Sequence, residues 1–360
     1  MKVKTKLLVN ALGMLAAIAR NSTINPAGIV NLFASKGVLV LRSTNGVNYS
    51  SARVKVESDD LPLTGVSCGM LFHAVGSLVD DIVDLSLVGN KLVVKAGLSV
   101  FRLPISTVEL ASINRDFMVD SPIEFKTADF IKGLSRVAHA AAVKDIRYYL
   151  NGVNLDLADG AINFVATDGH RLSKYNLPTE GISQEGNFIL PIDAVGFVMR
   201  NITSETFKLH LGSSAFTFES PDLVCQVMAI EGAFPDYKRV IPKHQDNFII
   251  DGASLALDLD RVKTVAQKDP SVRITLEEGS AIVVSSGEAD ENEPLYTNSI
   301  ALVKGKGGQF DSGFNADYLL DAISGIKANV QVKYGDLLSS IAIYDPEDPN
   351  FVEVLSPMRL

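Results

Sequence analysis

The sequence predicts an α+β protein of three similar domains, each holding two half-units of one helix and several antiparallel strands. Two patterns predict it: six amphipathic helix candidates at near-constant spacing, and period-two strand runs between them. Length agrees, since 360 residues at roughly 150 per domain suggest two or three domains.

The first helix candidate runs from Thr5-Lys6-Leu7-Leu8 to Arg20. Similar Ala-rich segments run from Thr127-Ala128-Asp129-Phe130 to Ala142 and from Gly252-Ala253-Ser254-Leu255 to Lys268. Aligning Leu8, Phe130 and Leu255 gives spacings of 122 and 125. A second trio, Ser67–Val79, Pro191–Ile202 and Asn315–Ile326, aligns on Leu71, Val195 and Leu319 with spacings of 124 and 124. Each second helix trails its first by 63, 65 or 64 positions, so the chain holds six half-units. Strand alternation is clear in Val38–Leu41, Lys91–Lys95, Phe207–Leu211, Ala281–Val284 and Ser340–Tyr344. Asn45-Gly46, Gly89-Asn90, Asp159-Gly160, Glu278-Gly279 and Tyr334-Gly335-Asp336 mark turns. The repeats place domains at residues 1–118, 119–243 and 244–360, with candidate linkers Ser112–Pro122 and Phe234–Asp246. Gly287–Glu293 reads as an acidic hairpin tip. Gly305-Lys306-Gly307-Gly308 lacks the strand–loop–helix context of a phosphate loop and reads as a loop.

Composition removes several function classes. A hydrophobic fraction of 47% with 21% charged residues is that of a globular chain rather than a disordered or fibrous one. Lys and Arg total 33 against 42 Asp and Glu, a net charge of −9, so the whole surface is not expected to coat nucleic acid. Cys68 and Cys225 lie far apart without a C-x-x-C and read as reduced cytoplasmic thiols. Lys2, Lys4 and Lys6 before the uncharged run Leu7–Ala19 imitate a secretory leader, but the same segment type recurs twice, which favours a structural helix. No run reaches the roughly 18 apolar residues of a membrane span. The five histidines are scattered, and the common nucleotide and zinc-protease motifs are missing, so neither a metal nor a cofactor is expected.

Polar helix faces carry the charge pattern. Lys132, Arg136 and His139 share one face at i, i+4 and i+7, opposite Phe130, Leu134, Val137 and Ala141. Arg261, Thr264 and Lys268 repeat it, and Arg20 and Arg200 fall on similar faces. The second helix breaks the trend, having no Lys or Arg.

One polar knot stands out: Thr167-Asp168-Gly169-His170-Arg171. An Asp–His pair can orient a general base, but no nucleophile motif accompanies it. Asp168-Gly169 reads instead as a tight turn after a strand, with Asp168 accepting backbone N–H bonds and Gly169 supplying positive φ.

The stretch Ala166–Leu172 resembles the signature of the bacterial DNA polymerase III beta subunit, the sliding-clamp family. Asp145–Gly152, Phe234–Pro242, Gly313–Asp321 and Ser356–Leu360 resemble the same family in the same order. The resemblance implies three similar domains per chain and a non-catalytic, head-to-tail homodimeric ring around duplex DNA. It implies partners as well: the polymerase catalytic subunit, the clamp-loader ATPase and other proteins bearing clamp-binding motifs. The family's peptide cleft carries over here to Arg147, Tyr149 and Leu150; Thr167, Gly169, His170, Arg171 and Leu172; and Pro235, Arg239 and Val240. Ser340 and the tail Leu355, Ser356, Pro357, Met358, Arg359 and Leu360 complete it, with Asn315 and Tyr318 at the rim. Leu150, Leu172, Val240, Leu355 and Met358 are expected to form an apolar socket, and Arg147, Arg171 and Arg239 to hold polar groups of the peptide. Phe101 is expected at the dimer joint. DNA contacts are expected from Arg20, Lys132, Arg136, Arg200, Arg261 and Lys268.

Two departures stand against the family pattern. Ser356 replaces the usual Met before Pro-Met-Arg-Leu, and Gly69, Ile192 and Asp193 occupy positions where the family is basic. They are compatible with a divergent or a phage-encoded member. They also keep a second reading open: a clamp-like interaction protein that binds peptides without encircling DNA.

Overall fold

The computed structural model describes residues 1–19, 28–57, 61–106, 118–119, 121–179, 182, 185–212, 214–265, 270–277, 281–286, 296–306, 309–336 and 338–358. Among them are six α-helices at the positions the repeat predicts: α1 (Thr5–Ala19), α2 (Cys68–Gly76), α3 (Thr127–Val137), α4 (Ile192–Asn201), α5 (Gly252–Val265) and α6 (Ala316–Ile323). Their apolar stripes are buried as expected. Leu8, Leu12 and Leu15 of α1, Phe130, Leu134 and Val137 of α3, and Leu255, Leu259 and Val262 of α5 are each at most 1% exposed. Polar residues set the helix starts. Ser67 caps α2 by accepting from the Met70 N–H, and Asn315 caps α6 by accepting from the Tyr318 N–H. No helix among the described residues is long and apolar enough to cross a membrane.

The described chain forms two compact units. Met1–Ile131 and Asp193–Glu231 make the first, and Lys132–Ile192 and Gly232–Leu360 the second. The partition has a backbone cause. Tyr49–Lys55 pairs with Leu223–Met228 in one eight-stranded sheet, and Arg171–Pro178 pairs with Asp348–Leu355 in one nine-stranded sheet. Half-units distant in sequence are thus fused by hydrogen-bonded ladders. Each unit also holds a four-stranded sheet.

In the first unit α1 and α2 bury Leu8, Leu12, Leu15, Leu71 and Val75 with Leu32, Leu39, Leu41 and Val94 of its strands. A ring cluster of Phe125, Phe130, Phe207 and Phe218, with centroids 5.1–6.2 Å apart, fills its other end. In the second unit α5 and α6 pack over Phe248, Phe314 and Tyr334. Gly133 lets α3 lie close to Phe164, since a Cβ there would fall 2.5 Å from the ring.

The strand runs read from period-two alternation are all strands, at Val38–Thr44, Lys91–Ala96, Thr206–Leu211, Ala281–Ser286 and Ile341–Asp345. One loop expectation is corrected. Gly305 and Lys306 belong to a short strand, Lys304–Lys306, that pairs with Asn247–Ile249; a three-residue edge strand is held by its neighbour's ladder, not by side-chain alternation. The acidic stretch Gly287–Glu293 lies outside the described residues.

Candidate partner-binding cleft

The knot at 167–171 is a locked turn between strands Ala161–Thr167 and Arg171–Pro178 of the second unit. Asp168 Oδ1 accepts from the N–H groups of His170 and Arg171 at 2.9 and 3.0 Å, and Oδ2 accepts from Arg171 Nε at 3.1 Å. Thr167 Oγ1 donates to the Arg171 carbonyl at 2.6 Å and accepts from the Gly169 N–H at 3.1 Å. Gly169 has φ +95°, and a Cβ there would meet Arg147 Nη1 at 2.8 Å. With both Asp168 oxygens committed to the turn and Arg171, this carboxylate does not orient the His170 ring, which stands exposed.

Arg171 is engaged throughout its guanidinium. Besides Asp168, Nη1 donates to Asp321 Oδ2 at 2.7 Å, Nη2 donates to the His139 carbonyl at 2.5 Å, and the group lies 4.2 Å from the centroid of Tyr318. Its side chain is only 10% exposed. Through these bonds Arg171 positions the turn, α6 and the segment at His139. Burial, followed by the negative charge of Asp168, pushes the Tyr318 phenol up. Arg147 is exposed. It forms a two-pronged pair with Asp145 at 3.1 and 2.8 Å and donates to the Asp168 carbonyl at 2.8 Å. Its hydrogen bonds hold the Asp145 carboxyl down to about 2.

The C-terminal strand Asp348–Leu355 inserts between Arg171–Pro178 and Ile341–Asp345, with Leu355 opposite both Arg171 and Ile341. Beyond it the Ser356 N–H donates to the His170 carbonyl at 3.0 Å, and the Met358 N–H to the Gly313 carbonyl at 2.9 Å. The tail thus runs from the locked turn to the strand that precedes Asn315 and Tyr318. Turn, tail, α6 start and Arg147 come together in the second unit.

The rest of the expected set is placed differently. Leu150, Leu172 and Leu355 are at most 3% exposed and form core, so the open apolar surface is Val240, half exposed, and half-buried Met358. Leu150 ends the 3-10 turn Tyr148–Leu150, where half-buried Tyr149 meets Tyr148 edge to face. Pro235 and Arg239 are exposed, and Arg239 Nε pairs with Asp236 at 2.8 Å within its own 3-10 turn. The half-buried Ser340 accepts from His244 Nε2 through its carbonyl at 2.9 Å. Arg359 and Leu360 lie outside the described residues.

Known proteins share both sequence and fold with this chain. Family models for the central and C-terminal domains of the DNA polymerase III beta subunit match residues 124–236 and 238–359. The beta sliding clamp of Caulobacter vibrioides is 31% identical over 307 residues, covering 81% of this chain and 80% of its own length.

The chain belongs to the bacterial DNA polymerase III beta subunit family.

The Escherichia coli beta sliding clamp is 27% identical over 348 residues, covering 94% of this chain and 93% of its own. The solved Caulobacter crescentus pol III beta structure superposes with a TM-score of 0.90 at 28% identity, covering 100% of both chains. The Pseudomonas aeruginosa subunit does so with a TM-score of 0.92 at 24% identity. The α+β architecture expected from the repeats, and the clamp fold that the resemblance implies, are the fold observed.

For a clamp-family chain the helix cations matter, and several are already committed. Lys132 Nζ pairs with Asp348 at 2.7 Å and lies 5.2 Å from the Tyr175 centroid. Arg136, whose side chain is 11% exposed, pairs with Asp345 at 2.8 Å and lies over Phe351. The expectation of Arg136 as a solvated phosphate-facing charge is corrected, because two acidic residues of the hairpin at 345–348 draw it inward. Arg261 Nη1 reaches Asp258 and the Tyr296 hydroxyl, each at 3.2 Å. Arg200 is exposed at the end of α4 and pairs with no carboxylate among the described residues. Arg20 and Lys268 lie outside the described residues.

Sequence reading missed the acidic partners Asp321, Asp345, Asp348 and Glu353. Glu353 is fully buried, 3.1 Å from His139 Nε2. Burial pushes its carboxyl above the ordinary 4.5, against the opposing hydrogen bond from His139. The folded state therefore holds this proton more tightly than the unfolded chain. That contribution is complete below about pH 4.5 and fades as pH rises through the raised value. Glu353→Gln keeps the neutral shape, so in melts from pH 4 to pH 8 the variant should gain on the wild type as pH increases. A stability difference that is flat with pH would contradict this account.

Proposed function

We propose that this chain works as a DNA sliding clamp, encircling duplex DNA as a head-to-tail pair of three-domain chains bounded at 1–118, 119–243 and 244–360. Linkage by topology, with weak sequence-blind backbone contacts, keeps such a ring on DNA while it slides. A polymerase tethered to it stays near its template at high effective concentration. The role is non-catalytic. The partners are duplex DNA, the polymerase catalytic subunit, the clamp loader and other proteins with clamp-binding motifs, in the cytoplasm.

The observation that carries the reading is the convergence of the locked 167–171 turn, the pinned tail and the start of α6, a preorganised seat for a short peptide. The edge strands fit a ring. Ser99–Pro104 ends the four-stranded sheet of the first unit, and Thr297–Ala301 ends that of the second. Both are largely exposed, so each offers a ladder to a second copy. Phe101 packs against its own core, leaving Leu98 and Val100 as the open apolar residues of that edge.

A second reading, a peptide-binding clamp relative that does not encircle DNA, draws on the neutralised Lys132 and Arg136. Loading onto nicked circular DNA separates the two. A clamp should sediment near 77 kDa, twice 38.7 kDa, and should leave the circle when it is linearised. A monomer at micromolar concentration, or retention indifferent to linearisation, would sink the ring.

A further inference from the structure

A second concave site lies in the second unit, away from the locked turn. It encloses about 470 Å³, within the range of small-ligand pockets. Its floor is one face of the nine-stranded sheet. Lys174 and Tyr344 both sit opposite Val352, from the strands on either side of it, and Lys333 lies one strand further on, opposite Ala342. Its wall is the connecting segment, which supplies Tyr237, Lys238, Lys243 and His244. Tyr237 and Ile241 anchor that segment to the sheet in a small core with Val352 and Val354. The cations are therefore carried by paired strands and an anchored segment.

The charge balance of this pocket is lopsided. Four lysines and a histidine line it, and no Asp or Glu does, in a chain whose net charge is −9. Asp156 lies beneath, but its carboxylate accepts from the Tyr237 hydroxyl at 2.7 Å and stands 3.6 Å from Lys238. Asp336 acts on His244 from the side. Lys174, only partly exposed, has no ion pair among the described residues. Burial, then repulsion from Lys238, pushes its ammonium down, with Asp156 opposing only in part. A neighbouring cavity of about 380 Å³ shares Lys174, Tyr237 and Lys238, but its further lining is neutral apart from Asp159, so the cationic lining ends at Lys174.

We propose that this pocket binds an acidic peptide segment, whose spaced carboxylates pair with Lys174, Lys333 and Lys243. Lys174 and Lys333 stand on strands separated by two others, roughly 14 Å apart at about 4.8 Å per strand, so they do not converge on a lone phosphate. Single-stranded nucleic acid fits poorly. Base stacking requires open aromatic faces, but Tyr237 is 5% exposed, and Lys333 lies 4.7 Å from the Tyr344 centroid. The inference does not depend on the cleft reading, because it uses other residues.

Fluorescein-labelled hexaglutamate, titrated with the full chain at low salt and followed by anisotropy, tests it. Saturable binding should weaken at least tenfold in Lys174→Gln with Lys333→Gln. It should be unchanged in Lys91→Gln with Lys95→Gln, exposed lysines of the first unit. Lys243→Gln with Lys333→Gln, which leaves the partly exposed Lys174 in place, provides a second pair should the first lower the melting temperature. Equal loss in the Lys91/Lys95 control, or no saturable binding, would overturn the site. Displacement by oligo-dT or inorganic phosphate at lower concentration than by unlabelled hexaglutamate would overturn the peptide assignment.

Discussion

Arg171→Ala should destabilise the second unit by about 3 kcal/mol, the lower end for breaking a buried ion pair, and should weaken partner-peptide binding more than tenfold. The substitution strands Asp168, Asp321 and the His139 carbonyl at once, and removes the cation beneath Tyr318. Asp321 is 46% exposed and can recover water, which keeps the cost from the upper end. Asp168 loses Nε while retaining its two backbone N–H donors, so the turn loosens without unravelling. Arg171→Lys should recover less than half of the loss, since an ammonium cannot serve three acceptors in the geometry of a planar fork. Urea denaturation followed in parallel with peptide titration checks both effects. Unchanged stability in the alanine variant would mean that the guanidinium network contributes nothing.

Deleting Ser356–Leu360 should have the opposite signature, with binding abolished and folding nearly intact. Two backbone hydrogen bonds hold the described part of the tail, Ser356 to His170 and Met358 to Gly313. Each contributes about 1 kcal/mol at most, and the partly exposed setting lowers that further. The strand Asp348–Leu355 keeps its ladders on both sides after the deletion. Half-buried Met358 leaves with the tail and takes part of the open apolar surface with it. Calorimetry with a polymerase-derived peptide should then show no heat, while the melting transition moves little. A truncated chain that binds with unchanged affinity would remove the tail from the site. Comparing the two variants separates positioning from contact: Arg171→Ala lowers stability and binding together, whereas the deletion lowers binding alone.

Much of the architecture was legible because it rests on local periodicity. Leu8, Phe130 and Leu255 recur at helical stripes that must be buried, and Phe207–Leu211 alternates apolar and polar residues as a half-buried strand must. The Asp168-Gly169 turn was legible for the same reason, since its carboxylate caps N–H groups two and three residues on. What only the tertiary structure decided involves residues far apart in the chain. The partners of Arg136, His139 and Arg171 lie 209, 214 and 150 positions away. No spacing rule reaches that distance, so Arg136 read as a solvated cation and Arg171 as a peptide ligand. The two-unit partition also depended on pairing at distance, where a strand's free N–H and C=O groups take whichever edge the fold brings alongside. Local sequence set which face of each element is apolar, and the long-range ladders decided which charges those faces brought together.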